Sequence, residues 1–238
     1  MGTSKRILMI ASNPSLSPVT GWPIGFWWAE LSHAFEVFEG AGYEIDIVSP
    51  DGGMLEADGY SDPEDESGYS TQDTISLAFK NDPAKMALLA DTPALSEVDP
   101  AGFDALFVVG GQGPMVTMID DTRVHSFVSA FYESGKVTAA VCHGTCILLK
   151  TRLSNGELLV KGKRWTGFAN SEEEYAENAV GQKIQPFWIE TEAKKIPDTQ
   201  FEVAGPMEEF AIRDGLLVTG QQQVSAAAAA KEVIAALS

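Results

Sequence analysis

The chain has 238 residues, and 16 lysines and arginines against 34 aspartates and glutamates give it a formal charge of −18 at pH 7. So acidic a balance argues against nucleic acid and anionic membrane as partners, because phosphate recognition needs a basic patch. With 45% hydrophobic residues and only two cysteines, Cys142 and Cys146, it reads as a globular protein of a reducing compartment rather than a disordered or disulfide-stapled chain. Lys5 and Arg6 precede only a short apolar run, and no apolar stretch approaches membrane-spanning length, so a soluble cytoplasmic protein is expected.

In chain order, residues 6–11 read as a first buried strand, followed by a Ser-, Pro- and Gly-rich loop over 12–25. Trp27, Leu31, Phe35 and Phe38 recur at helical spacing, which predicts a helix over 26–40; the alternating run 43–49 then completes a βαβ unit. Glu56, Asp58, Asp62, Glu64, Asp65 and Glu66 crowd a Gly-, Ser- and Pro-containing stretch that reads as a solvated loop, without the ligand spacing of a calcium loop. A helix over 83–90 leads to a third strand, 103–109, which stops in Gly110-Gly111-Gln112-Gly113. A helix over 123–134, a strand over 136–141 and a helix over 144–150 follow. Residues 157–160 and 163–166 read as a short hairpin or edge pair, 170–178 as an acidic helix, and 201–204 and 216–219 as later strands. Ser225 is expected to cap an Ala-rich final helix running to 237. Alternating strands and helices predict one α/β domain with a mostly parallel sheet covered on both faces.

The densest functional signal is the run from Ala139 to Leu149, where an apolar strand ends in Cys142-His143-Gly144 and an apolar helical run begins. That is the pattern of a nucleophile elbow, in which a sharp turn presents the nucleophile and the next helix points its N-terminus at it. A helix N-terminus stabilises a thiolate, and Gly144 allows close backbone passage. The tripeptide alone fits equally a buried cysteine at a strand end. Cys146, one turn later, reads as a packed core cysteine.

In a parallel sheet the loops at the strand C-termini form the functional crevice. They carry Cys142, the glycine run at 110–113, and the loop leading towards Glu30. The Gly111 amide with that of His143 would make an oxyanion hole, although tight strand-to-helix turns use the same glycines. The only histidines are His33, His125 and His143, so no residue beyond 143 supplies the distant base of a glutamine-hydrolysing Cys-His-Glu site, and His143 is the base partner available to Cys142. His33 reads as structural or as support behind the site, and His125 as helix decoration. Three scattered histidines and two cysteines make no zinc set, so neither a metal nor a cofactor is expected.

Cys142-His143-Gly144, Glu30 on the helix after Trp22 to Gly25, Ser49 to Gly53 at a strand end, Gly110-Gly111, Thr166-Gly167-Phe168 with acidic residues behind it, and the run Asp214 to Gly220 together resemble the ThiJ/PfpI superfamily. The nearest resemblance is to its glyoxalase III-like branch, whose members are also described as heat-shock chaperones and protein deglycases. These landmarks run in family order from about 5 to 235, which implies a single flavodoxin-like, glutamine-amidotransferase-like domain over 5–238. The resemblance makes Cys142 the nucleophile, His143 its partner and Glu30 the carboxyl group touching the thiol. It places the third triad member in Glu172-Glu173-Glu174, with Glu173 favoured and Glu172 the near alternative. An exposed helix N-terminus would also favour carboxylates there. Gly110 and Gln112 would contact substrate, but Gln112 stands where many relatives carry histidine, and an amide orients a carbonyl without exchanging a proton.

The resemblance implies cofactor-independent conversion of a 2-oxoaldehyde such as methylglyoxal into a 2-hydroxy acid through a Cys142 hemithioacetal, and a homodimer. A cysteine amidase or peptidase and a holdase chaperone are the alternatives. The last would expose Trp22, Phe26, Trp27 and Trp28 as an apolar surface.

Overall fold

A computed structural model describes residues 4–238. Strand β1 (Arg6–Ile10) is an interior strand of the sheet, paired on both sides, and its near-complete burial explains why it reads as a continuous apolar run. The 12–25 segment is not wholly irregular, because β2 (Ser15–Leu16) pairs with β3 (Pro23–Ile24) as a small hairpin. Helix α1 (Trp28–Gly40) buries Leu31, Ala34, Phe35 and Phe38 on one face. It starts two residues later than its periodicity predicts because Phe26 bridges Ala57 and the Trp27 N–H donates to Gly110 O at 3.2 Å, holding both residues out of helical geometry.

Strand β4 (Glu44–Val48) returns parallel to β1. The insertion then contributes α2 (Thr74–Lys80), which the sequence reading missed, and α3 (Pro83–Ala90). Both start at an aspartate whose carboxylate accepts from their first amides, Asp73 from Ser76 N and Asp82 from Ala84 N. Next come β5 (Ala105–Val108), α4 (Thr122–Glu133) and β6 (Val137–Val141), and then Cys142–Leu149, which coils as a 3₁₀ helix rather than the expected α-helix.

The predicted pairing of 157–160 with 163–166 does not form. Only β7 (Arg164–Trp165) is extended, and after α5 (Asn170–Val180) and α6 (Ile189–Ala193) it pairs in parallel with β8 (Gln200–Phe201). The reason is Thr199: its hydroxyl accepts from Trp165 Nε1 at 2.8 Å and donates to Val160 O at 2.8 Å, so the distant segment displaces the local hairpin. Strand β9 (Ala211–Asp214), also unpredicted, pairs antiparallel with β10 (Leu217–Gly220) across a turn in which Gly215 takes a φ of +64°. Helix α7 (Ala226–Leu237) packs on α1, β6 and β10. Ser225 precedes it but does not cap it; its hydroxyl accepts from Phe210 N at 3.0 Å.

The six-stranded sheet has the order β4-β1-β5-β6-β10-β9, parallel except for the last strand, and helices flank it. The C-terminal ends of β5 and β6, adjacent in this order, bring Gly110 and Cys142 side by side.

Candidate active site

Cys142 follows β6 directly and adopts a left-handed backbone, φ +55°. A non-glycine residue held there is strained, by roughly 1–3 kcal/mol, and such strain gathers where a side chain must be aimed. The turn is enforced from behind. A Cβ on Gly144 would stand 2.8 Å from Val109 O, and Thr145 Oγ1 donates to Cys142 O at 2.6 Å. The thiol is 2% exposed. Burial first, and then the Glu30 charge, push its pKa well above the ordinary thiol value, while the His143 backbone N–H beside it acts in the opposite sense. The expectation of a lowered thiol pKa from a helix N-terminus is therefore not met: the following turn is 3₁₀, and burial outweighs the one backbone N–H that favours the thiolate.

Glu30, in the first turn of α1, is fully buried against that thiol. Burial raises its pKa well above the carboxylate range, contact with Cys142 lowers it, the Asp58 charge raises it and the Gly110 amide lowers it. The carboxyl adjoins the thiol and that amide, yet neither oxygen is aligned for a full hydrogen bond with a described residue. Gly110 is obligatory here, since a Cβ would lie 2.2 Å from Glu30 Oε2 and 2.7 Å from Val141 O. Two acids thus share one dry site: the Glu30 charge opposes ionisation of the thiol, whereas contact with the thiol favours the Glu30 carboxylate.

His143 Nδ1 lies 3.5 Å from Cys142 Sγ, and His143 Nε2 lies 2.9 Å from Glu173 Oε1. The imidazole stacks on Phe168, ring centroids 4.2 Å apart. Burial raises the Glu173 pKa, and the charge and hydrogen bond of His143 pull it back. Of the two neighbouring glutamates, only Glu173 meets the imidazole. Glu172 turns the other way: its carboxylate accepts from Ala169 N at 3.0 Å, Gln221 Nε2 at 3.0 Å and Met207 N at 3.1 Å, which caps α5 and ties it to the chain beyond.

The acidic stretch is only partly the solvated loop its composition suggests. Asp62 and Glu64 pair with Lys80, but Asp58 is fully buried. Its Oδ1 accepts from Gly25 N at 3.0 Å and its Oδ2 from Gln112 N at 2.6 Å, which clips the 25–27 segment to the glycine turn. Burial lifts Asp58 to about 7, against the two backbone N–H groups and His143. Sequence reasoning missed this residue because its partners lie 33 and 54 positions away.

The turn itself is close-packed. Gly111 has φ +99°, and a Cβ there would meet Gly25 O at 2.6 Å. Gln112 lines the site with its Oε1 buried and unpartnered. A cavity of about 340 Å³ opens over Cys142, His143 and Gln112, walled by Trp22, Trp27, Tyr60, Tyr69, Phe168 and Tyr175 among others. The aromatic cluster that the chaperone alternative would expose is not a surface patch: Phe26 and Trp28 are core, and Trp22 and Trp27 face this cavity.

The remaining singled-out residues are structural. His33 Nε2 sits 2.8 Å from Asp73, at the start of α2. Both ring nitrogens of His125 are bonded, to Thr151 Oγ1 and Ile119 O, so it pins α4 rather than decorating it. Cys146 is fully buried with its pKa raised by burial. Among the described residues no group of three or more His, Cys, Asp and Glu side chains is placed to hold a metal, and no helix is long and apolar enough to cross a membrane.

The chain is 30% identical over 236 residues to a protein of Candida albicans named glyoxalase 3, covering 98% of each. It is 29% identical over 244 residues to a glutathione-independent glyoxalase of Saccharomyces cerevisiae, covering all of this chain and 99% of the relative. The crystal structure of glyoxalase III from Candida albicans superposes with a TM-score of 0.78 at 27% identity, covering 98% of this chain and 97% of the other. Residues 25–236 match the DJ-1/PfpI family, and the chain belongs to that family.

Proposed function

We propose that this protein is a cofactor-independent enzyme of the glyoxalase III type, converting 2-oxoaldehydes to 2-hydroxy acids. The observation that carries the reading is a buried thiol that meets both a buried carboxyl of raised pKa and an imidazole–carboxylate pair, with thiol, imidazole and the second carboxylate lining one pocket. Full-length likeness to relatives named glyoxalases supports it.

In this reading Cys142 Sγ attacks the aldehyde carbon of a neutral 2-oxoaldehyde and passes its proton to Glu30 or His143, giving a hemithioacetal. The Gly111 and His143 amides meet the developing oxyanion. The aldehyde hydrogen leaves as a proton to the same acid/base pair and returns at the neighbouring carbon through an enediol, which leaves a 2-hydroxyacyl thioester on sulfur. Water hydrolyses the thioester, releasing the acid and the thiol. The sum is substrate plus water, with no net oxidation. Glu173 would orient His143, and Gln112 would hold the substrate carbonyl. A small molecule is the substrate; protein deglycation would use the same adduct chemistry. The test is D-lactate formation from methylglyoxal without glutathione, measured beside ammonia release from amides and peptide cleavage. Lactate from the wild type and none from Cys142→Ala is the expected result, whereas amide hydrolysis without lactate would favour the amidase reading.

A further inference from the structure

The pocket is larger and more aromatic than a three-carbon substrate requires. At about 340 Å³ it falls within the range that encloses a drug-sized ligand. Trp22, Tyr60, Tyr69 and Trp27 form a continuous chain of ring contacts, with centroids 5.7 Å, 6.4 Å and 6.1 Å apart in turn. The last two pairs meet at 90° and 89°, leaving ring faces and edges to receive another ring in the offset or perpendicular packing aromatics prefer. Phe168 and Tyr175 extend the lining, and Ala176, Ala179, Val180 and Ile184 add aliphatic surface to it.

Cys142, His143 and the Gln112 side chain, whose Oε1 is buried without a partner, offer polar groups to the dicarbonyl, and Gln185 and Gln223 also line the cavity. No lysine or arginine lines the cavity among the described residues, while the Glu172 and Glu173 carboxylates do. An anionic substituent would find no counter-charge and two carboxylates nearby, at a low local dielectric.

Resting on the glyoxalase reading, we propose that the substrates this site prefers are neutral 2-oxoaldehydes bearing an aromatic substituent, which it converts to aromatic 2-hydroxy acids. The dicarbonyl head meets Cys142 and the Gln112 carboxamide, and the ring enters the aromatic wall. A methyl group in its place leaves that wall wet and forgoes the apolar burial. The chemistry is unchanged: the ring stays on the keto carbon, the aldehyde hydrogen moves to that carbon as a proton, and water releases mandelate when the substrate is phenylglyoxal.

The test compares kcat/KM for phenylglyoxal, methylglyoxal and 4-carboxyphenylglyoxal in glutathione-free buffer, on the full chain and on Tyr69→Ala and Tyr60→Ala, with thermal melts to confirm folding. Phenylglyoxal is expected to exceed methylglyoxal by about ten-fold or more, mainly through KM, and to exceed its carboxylated analogue similarly. The tyrosine variants should lower the phenylglyoxal-to-methylglyoxal ratio several-fold. Methylglyoxal turned over as well as phenylglyoxal, or a ratio unmoved in both variants, would overturn the substrate class and leave the glyoxalase reading standing. No turnover of any of the three by the folded wild type would overturn both.

Discussion

The strand-end elbow and the aromatic wall meet in one cavity, yet they are built differently. Cys142, His143, Glu30 and Gly110 stand on or directly after β5, β6 and α1, with almost no exposure and with neighbours close enough to forbid a Cβ at Gly110. Trp22, Tyr60, Tyr69 and Tyr175 come from the first loop, the insertion and the outer face of α5, and Tyr60, Tyr69 and Tyr175 are exposed. A parallel sheet fixes its strand ends to fractions of an ångström, as reaction geometry demands, whereas loops tolerate the variation that sets substrate choice. Damage to the elbow should therefore appear in kcat, and damage to the wall in KM.

The largest effect is expected from Cys142→Ala, which should remove 2-hydroxy acid formation altogether while the thermal midpoint stays near wild type; retained turnover would detach the chemistry from the elbow. Glu173→Gln comes next. It should lower kcat roughly a hundred-fold by leaving His143 without its carboxylate, whereas Glu172→Gln should show mainly as a thermal destabilisation of about 1–3 kcal/mol from three weakened acceptor contacts. Equal kcat losses in the two variants would erase the distinction between them.

Asp58→Asn is the intermediate case, because Asp58 lies in the insertion but grips the elbow. An amide cannot accept from both Gly25 N and Gln112 N with its two ends, so the glycine turn should loosen and kcat fall roughly ten-fold. The same variant carries a pH signature. Asp58 is raised from 3.8 to about 7, so its contribution to stability is complete below about pH 4 and is lost as pH rises through 7. The unfolding free energy of the wild type, from denaturant titration, should fall over that window by up to about 4 kcal/mol from this group, and the fall should shrink in Asp58→Asn. An unchanged pH profile would show that Asp58 ionises in the folded protein near its ordinary value. The smallest effect is expected from Tyr175→Ala, a rise in KM of a few-fold with kcat little changed.

The elbow was legible because its signals are local. Cys142-His143-Gly144 after an apolar strand and two glycines ending another follow from short-range pattern, Glu30 on the first helix follows from the family resemblance, and parallel strand order gathers them at one edge. Other features were invisible for the converse reason. Asp58 looks like its solvated neighbours until Gly25 N and Gln112 N are brought to it. The hairpin expected at 157–166 yields to Gln200–Phe201, and Ser225 abandons its capping role for Phe210 N, because in each case a distant partner outcompetes the local one.

By itself the sequence determined the α/β class and the position of the elbow, since burial periodicity and turn chemistry act over a few neighbours, and its family resemblance supplied the glutamates expected to meet there. Only the tertiary structure decided that Glu173 rather than Glu172 faces His143, that burial raises the Cys142 thiol instead of a dipole lowering it, and that the early aromatics wall a pocket. Those outcomes depend on desolvation and on contacts between residues far apart in the chain, and neither is written in local pattern.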